Sequence, residues 1–250
     1  MEISLAPEII FHMGHFPITN SLLMTLIVSG IIIIASIVLR RNLTLVPKGF
    51  QNIVEYVVEA FLGLIDSVTQ NKEQTKKFFP FVVTIFIFVI LSNWIELVPG
   101  LGTVGINEVK DGHTILVPFI RSASADLNVT LAIALISVFT AQFMGIAAIG
   151  LARYSGKFFV NPFRKPYFIG TFVGILEIIS EGAKIISFSF RLFGNIFAGE
   201  VLLIVMLNLV PYLVPVPFLL LELFVGFVQA LVFAMLTLVF FKMAVTAHDH

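Results

Sequence analysis

The chain alternates long runs of apolar residues with short charged segments. A helix rises ~1.5 Å per residue, so it needs ~20 mostly apolar residues to cross ~30 Å of hydrocarbon. The last two such runs are separated by Pro211, Pro215 and Pro217, and proline cannot continue a helix. We therefore expect those two helices to form a hairpin. The pattern predicts about five membrane-embedded helices, over residues 18–41, 78–97, 127–152, 167–210 and 213–246.

The segment 47–77 has a different pattern. Asn52, Glu55, Glu59 and Asp66 lie away from an apolar stripe when the segment is drawn as a helix. This distribution predicts an amphipathic helix lying along the membrane surface, and the alternative is a soluble helix packed on a partner. The stripe consists of Phe50, Val54, Val57, Phe61, Ile65 and Val68.

The composition supports a membrane protein and excludes several other classes. Hydrophobic residues make up 58% of the chain and charged residues 12%, against ~25% charged in ordinary globular domains. The bilayer is therefore the main solvent, and we expect residues 1–250 to form a single all-α polytopic membrane domain.

The remaining composition narrows the chemistry. The absence of cysteine excludes disulfides and thiolate metal sites. Basic and acidic residues are equal in number at 15 each, so no net charge favours nucleic acid. We find no phosphate-binding loop, and we expect no nucleotide, cofactor or metal on this chain.

The charges of the loops predict an orientation. Basic residues concentrate between the first two predicted spans and after the third, whereas the loop 96–126 is mainly acidic. The positive-inside rule then places the N-terminus and this acidic loop outside, and the C-terminus in the cytoplasm.

A polar stripe runs along the fourth predicted helix. A charge at the bilayer centre costs ~2.5–3.5 kcal/mol on insertion scales, so this helix must face water, another polar helix or a mobile charge. A local salt bridge between Glu181 and Lys184 would neutralise part of the stripe. Its positions recur every three or four residues, with one apolar member, Phe188, and with Ser180 and Ser187 beside them; the polar members are Glu177, Glu181, Lys184, Arg191 and Asn195.

Arg191 has no counter-ion on its own helix. The nearest carboxylate in sequence, Glu200, falls on the opposite side at ~100° per residue. Folding the hairpin about residues 210–211 sets Arg191 near Gln229 and Glu200 opposite Glu222. Because Gln229 is neutral, it can orient the guanidinium but not neutralise it. We therefore expect a carboxylate to arrive from another chain.

Three motifs resemble subunit a of the rotary F-type ATP synthase, in its bacterial form. They are the run Ser189-Phe190-Arg191-Leu192-Phe193-Gly194-Asn195-Ile196-Phe197-Ala198-Gly199-Glu200, the pair Glu222 and Gln229, and the run Ser124-Ala125-Asp126-Leu127-Asn128. The resemblance covers essentially the whole chain. It implies a stator in the bacterial inner membrane, beside a ring of c subunits with mid-membrane carboxylates. It also implies peripheral-stalk b subunits as partners, with nucleotide chemistry on other subunits.

The resemblance also assigns roles to individual residues. Arg191 matches the essential fixed cation that faces the ring carboxylate. Many members carry histidine where this chain has Glu222, and an acid pair at one depth suits a proton relay. The polar groups near the outer half-channel and the arginine are matched by Asn195, Glu200, Glu222 and Gln229. Those of the inner half-channel are matched by Glu177, Ser180, Lys184 and Ser187, and the supporting residues are Asp126, Asn128 and Glu181.

Two other functions are compatible with parts of the pattern. A stand-alone cation-coupled secondary transporter would use Glu200 and Glu222 as its ion site, although no internal repeat appears. A purely structural membrane anchor leaves the unpaired Arg191 unexplained. The sequence does not separate protons from sodium as the transported ion.

Overall fold

The computed structural model describes residues 6–14, 16–110, 113–156, 169–210 and 213–246. Within this part of the chain, five helices are long and apolar enough to cross a membrane. The predicted all-α polytopic fold, with a long final hairpin, is confirmed. The helices are α1 (Asn20–Arg41), α2 (Phe50–Thr69), α3 (Lys72–Glu96), α4 (Leu127–Ile149), α5 (Leu151–Ser155), α6 (Ile169–Leu209) and α7 (Pro215–Val245), of which α2 and α5 are not candidate spans.

Two short β-hairpins, which the sequence did not predict, lie in the segments that join the helices. Strands β1 (Ile9–Met13) and β2 (Phe16–Thr19) pair antiparallel before α1, and β3 (Gly105–Lys110) and β4 (His113–Pro118) pair antiparallel between α3 and α4. The two hairpins lie at the same end of the helices, because Asn20 Nδ2 donates to Pro118 O at 3.5 Å. Strands this short give too little alternation to stand out in the sequence.

The core lies between α3, α4, α6 and α7. Phe78 of α3 packs on Phe241 of α7 with ring centroids 5.5 Å apart, and Trp94 Nε1 donates to Leu223 O at 3.0 Å. Helix α1 packs on α3 through a separate, smaller cluster, in which Met24 and Val28 are fully buried beside Ala123. The rest of α1 is largely exposed, as expected of a helix that faces lipid or a partner.

The boundary between the surface helix and the second span differs from the prediction. The sequence placed residues 70–77 in the surface helix, but α2 ends at Thr69 and α3 begins at Lys72. Asn71 causes this early start, because its side-chain oxygen accepts hydrogen bonds from the backbone N–H groups of Glu73 (2.9 Å) and Gln74 (3.3 Å). The third span ends at Ile149, three residues before its predicted end, because Gly150 has a φ of 88°.

Helix α2 packs its apolar stripe on the chain's own helices. Phe61 and Ile65 are buried in the core cluster formed with α3 and α7, whereas Phe50 remains exposed. At its end, Lys242 Nζ of α7 donates to Thr69 O at 2.8 Å and to Gln74 Oε1 at 3.1 Å. These contacts fix the corner between α2 and α3 against the end of α7.

Candidate functional site

The predicted polar residues of the fourth helix all lie on the single continuous helix α6. Their exposure shows that the other described helices cover the stripe only in part. Ser180, Ser187, Arg191 and Asn195 are exposed, and the remainder are half-buried, namely Glu177, Glu181, Lys184 and Glu200.

The register between α6 and α7 agrees with the register predicted from the sequence. The rings of Phe188 and Phe233 stack with centroids 3.6 Å apart. One helical turn further along α6, Arg191 therefore reaches the level of Gln229 on the antiparallel α7. No hydrogen bond joins Arg191 and Gln229 in the described chain.

A cavity of about 350 Å³ opens beside Arg191, and we call it the Arg191 cavity. It brings together four residues that the sequence singled out and mixes them with apolar side chains. Since a water molecule occupies ~30 Å³ of liquid volume, the cavity has room for several. It is lined by Ser180, Ala183, Lys184, Ser187, Phe188, Arg191, Leu236 and Phe240.

The guanidinium of Arg191 has no hydrogen bond or ion pair with any residue of the described chain. The carbonyl oxygen of Arg191, by contrast, accepts a hydrogen bond from Asn195 Nδ2 at 2.9 Å. An exposed, unpaired cation near the middle of a membrane helix is costly unless a partner neutralises it. Within the described residues, the structure gives Arg191 no counter-ion.

Lys184 is paired on its own helix. Its Nζ lies 2.8 Å from Glu181 Oε1, at i,i+3 spacing, and 5.7 Å from the centre of the Phe240 ring. The local salt bridge considered in the sequence is therefore present. Lys184 lines the cavity but does not provide an unpaired charge.

Glu200 lies at the other end of this site and is bound by an arginine. Arg121 donates to its Oε2 through Nε (3.2 Å) and Nη2 (3.0 Å). Arg121 is only 6% exposed and also donates from Nη1 to Ala6 O at 3.3 Å. The sequence treated Arg121 as a loop charge and matched Glu200 with Glu222 alone, so it missed this ion pair.

Two more carboxylates surround this ion pair. Glu222 is buried against Gly199, and any side chain at Gly199 would overlap its carboxylate. Glu96, at the end of α3, lies within electrostatic reach of Glu200, Arg121 and Glu222. We call Glu96, Arg121, Glu200 and Glu222 the carboxylate cluster. The sequence counted Glu96 only among the acids of a loop, and no local pattern distinguished it.

Asp126 and Asn128 support the fold beside the cluster. Asp126 caps α4, where its Oδ1 accepts from Asn128 N at 2.9 Å and from Asn128 Nδ2 at 3.1 Å. Its other oxygen accepts from Ser21 Oγ at 2.5 Å, which ties α1 to the start of α4. No group of three or more histidine or carboxylate side chains in the described chain is placed to hold a metal ion.

Comparison with known proteins agrees with this architecture. A family model described as the ATP synthase A chain matches residues 22–242. The chain is 30% identical to ATP synthase subunit a of Moorella thermoacetica over 97% of this chain and 98% of that one. It is 35% identical to ATP synthase subunit a of Helicobacter pylori strain 26695, covering 96% and 92% of the two chains. The chain therefore belongs to the ATP synthase A chain family of multi-pass membrane proteins.

Proposed function

We propose that this chain is the ion-translocating stator subunit of an F-type ATP synthase. It passes protons or sodium ions through two half-channels to and from the carboxylates of a c-subunit ring, and the flow turns the ring. The observation that carries this proposal is the exposed guanidinium of Arg191, which has no ion partner in the described chain and lies near the middle of α6.

The chemistry of Arg191 suits a ring of moving carboxylates. A guanidinium stays protonated at any working pH and presents a planar fork that matches a carboxylate. It keeps each arriving acid ionised until that acid passes, and its fixed charge blocks a direct leak between the half-channels. Gly194 and Ala198 are exposed beside it and carry little or no side chain, so a ring helix can approach closely.

Two polar routes toward this arginine are supported by separate parts of the site. On the side of the basic loops, the Arg191 cavity reaches the guanidinium past Ser180 and Ser187. On the side of the acidic loop, the carboxylate cluster begins a route that continues along α7. Beside α7, Asn93 of α3 has its Oδ1 buried without a hydrogen-bond partner in the described chain, while its Nδ2 donates to Gly226 O of α7 at 3.1 Å.

The same proposal names the partners of this chain and its orientation in the membrane. The ring and the peripheral-stalk b subunits are the membrane partners, and nucleotide chemistry takes place on other subunits. The N-terminus lies outside the bacterial inner membrane and the C-terminus in the cytoplasm. The energy available is ~2.3 kcal/mol per charge for each 100 mV of membrane potential.

The direct test is to replace Arg191 in the complete complex in membrane vesicles. Arg191→Ala is expected to abolish ion-coupled ATP synthesis, because no other group in the described chain is placed to take its role. Arg191→Lys is expected to fail as well, since a desolvated ammonium releases its proton more readily and lacks the fork. ATP hydrolysis by the detached catalytic head should be unchanged in both variants.

The matched control is Arg41→Ala, which removes an exposed arginine at the end of α1. It is expected to leave coupled synthesis close to the wild-type rate. Wild-type synthesis in Arg191→Ala would overturn the proposed function.

A further inference from the structure

The geometry points to Arg121 as a positioning residue of the ion pathway. We propose that it holds the carboxylate of Glu200 in the orientation that receives the ion, and that it ties the N-terminal segment to the carboxylate cluster. This inference rests on the proposed function, because it assigns a role within that pathway.

The hydrogen bonds from Arg121 fall on only one oxygen of the Glu200 carboxylate. Both donors that Arg121 directs at Glu200 reach the same oxygen, Oε2. The other oxygen, Oε1, accepts no hydrogen bond from the described chain. Arg121 therefore fixes the side chain through one oxygen and leaves the other to exchange an ion. The side chain of Glu200 is 18% exposed, against 7% for Arg121, so the carboxylate remains the more accessible partner.

Arg121 also balances the negative charge around Glu200. Every other charged group shown to act on Glu200 is an acid: Glu8 of the N-terminal segment, Glu96 of α3 and Glu222 of α7. Arg121 is the only cation known to face Glu200 in the described chain. Buried carboxylates that lie together repel unless a cation offsets them, so the guanidinium allows this group to remain close-packed.

The contacts of residue 121 suit an arginine better than a lysine. One guanidinium binds two acceptors on different segments here, Glu200 Oε2 on α6 and Ala6 O in the N-terminal segment. The fork is also 5.9 Å from the ring centre of Phe197, within the range of a cation–π contact. A lysine would supply the charge as a compact ammonium without the rigid fork. A lysine would therefore keep the charge balance around Glu200 but would no longer orient the Glu200 carboxylate.

The test is a double-mutant cycle in the complete complex in vesicles. Arg121→Gln is expected to lower ATP-driven ion pumping about tenfold while the complex still assembles. Glu200→Gln gives the second single variant. If Arg121 acts through Glu200, the double variant should pump no more slowly than Glu200→Gln alone. Losses that multiply in the double variant, or an unchanged rate in Arg121→Gln, would overturn the proposal.

A second measurement separates positioning from folding. We expect the ion concentration that half-saturates pumping from the Glu200 side to fall several-fold in Arg121→Gln, because an unpaired carboxylate attracts cations more strongly. Arg121→Lys should assemble and retain the wild-type half-saturating concentration, but with a reduced maximal rate. A wild-type maximal rate in Arg121→Lys would show that the charge alone suffices, and failure of both variants to assemble would leave Arg121 a folding role only. Either result would contradict the proposal. Arg191→Ala tests the proposed function independently of these outcomes.

Discussion

Arg121 and Arg191 carry the same guanidinium group, but they lie in opposite surroundings. Arg121 is 6% exposed and forms an ion pair with Glu200 inside the chain. Arg191 is exposed beside the Arg191 cavity and has no ion partner in the described residues. A paired guanidinium fixes a structure, whereas an unpaired one at a protein surface needs a partner to arrive. Under the proposed function, the Arg121 pair is the static part of the site and Arg191 is the part that meets a moving ring.

Helix α6 connects these two regions and sets their separation. From Arg191 to Glu200 the helix rises roughly 13 Å, because each residue adds ~1.5 Å. The Arg191 cavity lies further along α6 in the opposite direction from Glu200, around Ser180 and Ser187. The arginine therefore lies between two polar regions, as expected if it is the barrier between two half-channels.

The largest effect beyond the arginines themselves is expected at Gly199. The Gly199→Ala substitution places a methyl group where the Glu222 carboxylate lies, and overpacking of this kind costs about 1–3 kcal/mol. We expect ion-coupled ATP synthesis to fall by about tenfold, the rate change that corresponds to ~1.4 kcal/mol. Synthesis assays on vesicles with equal amounts of assembled complex measure it.

The control for Gly199 is Gly30→Ala in α1, where an added methyl group meets nothing within 4 Å. It is expected to be neutral or slightly stabilising, because alanine favours helix more than glycine does. Equal synthesis rates in Gly199→Ala and Gly30→Ala would show that the position of Glu222 against α6 is unimportant.

The smallest effect is expected at the local ion pair between Glu181 and Lys184. Partly exposed pairs at this spacing contribute about 0.2–1 kcal/mol, so Glu181→Gln should slow coupled synthesis at most about fivefold. The same vesicle assay measures the change. A complete loss of synthesis would mean that Glu181 itself carries the ion. The Arg191 region would then also contain an ion-carrying acid, as the Arg121 region does.

The sequence predicted the fold well where the signal is local. Long apolar runs gave the membrane helices, and the proline cluster gave the hairpin whose register is seen in the stacking of Phe188 on Phe233. The start of α3 was also readable, because Asn71 precedes Lys72, Glu73 and Gln74 in a pattern typical of a helix N-terminus. The apolar run alone, which begins at Phe78, places the boundary too late.

The ion pair of Arg121 with Glu200 was beyond the reach of local patterns. The two residues are 79 positions apart, and the loop that carries Arg121 has no periodicity to fix its direction. The same holds for Glu96, whose approach to Glu200 depends on how α3 packs within the helix bundle, mainly against α7. Such contacts come from tertiary packing, which a single sequence does not encode in its spacing.

The proposed function requires the face of α6 around Arg191 to lie against a c subunit. Because the chain contains no cysteine, a single introduced cysteine is unique. Gly194→Cys places a thiol in open space one turn from Arg191, and Phe139→Cys places one at an exposed position near the middle of α4. The measurement is disulfide cross-linking of each variant to a cysteine beside the mid-membrane carboxylate of the c subunit. We expect a cross-link with Gly194→Cys and none with Phe139→Cys. No cross-link at Gly194, or an equal one at Phe139, would contradict the placement of the c subunit against this face of α6.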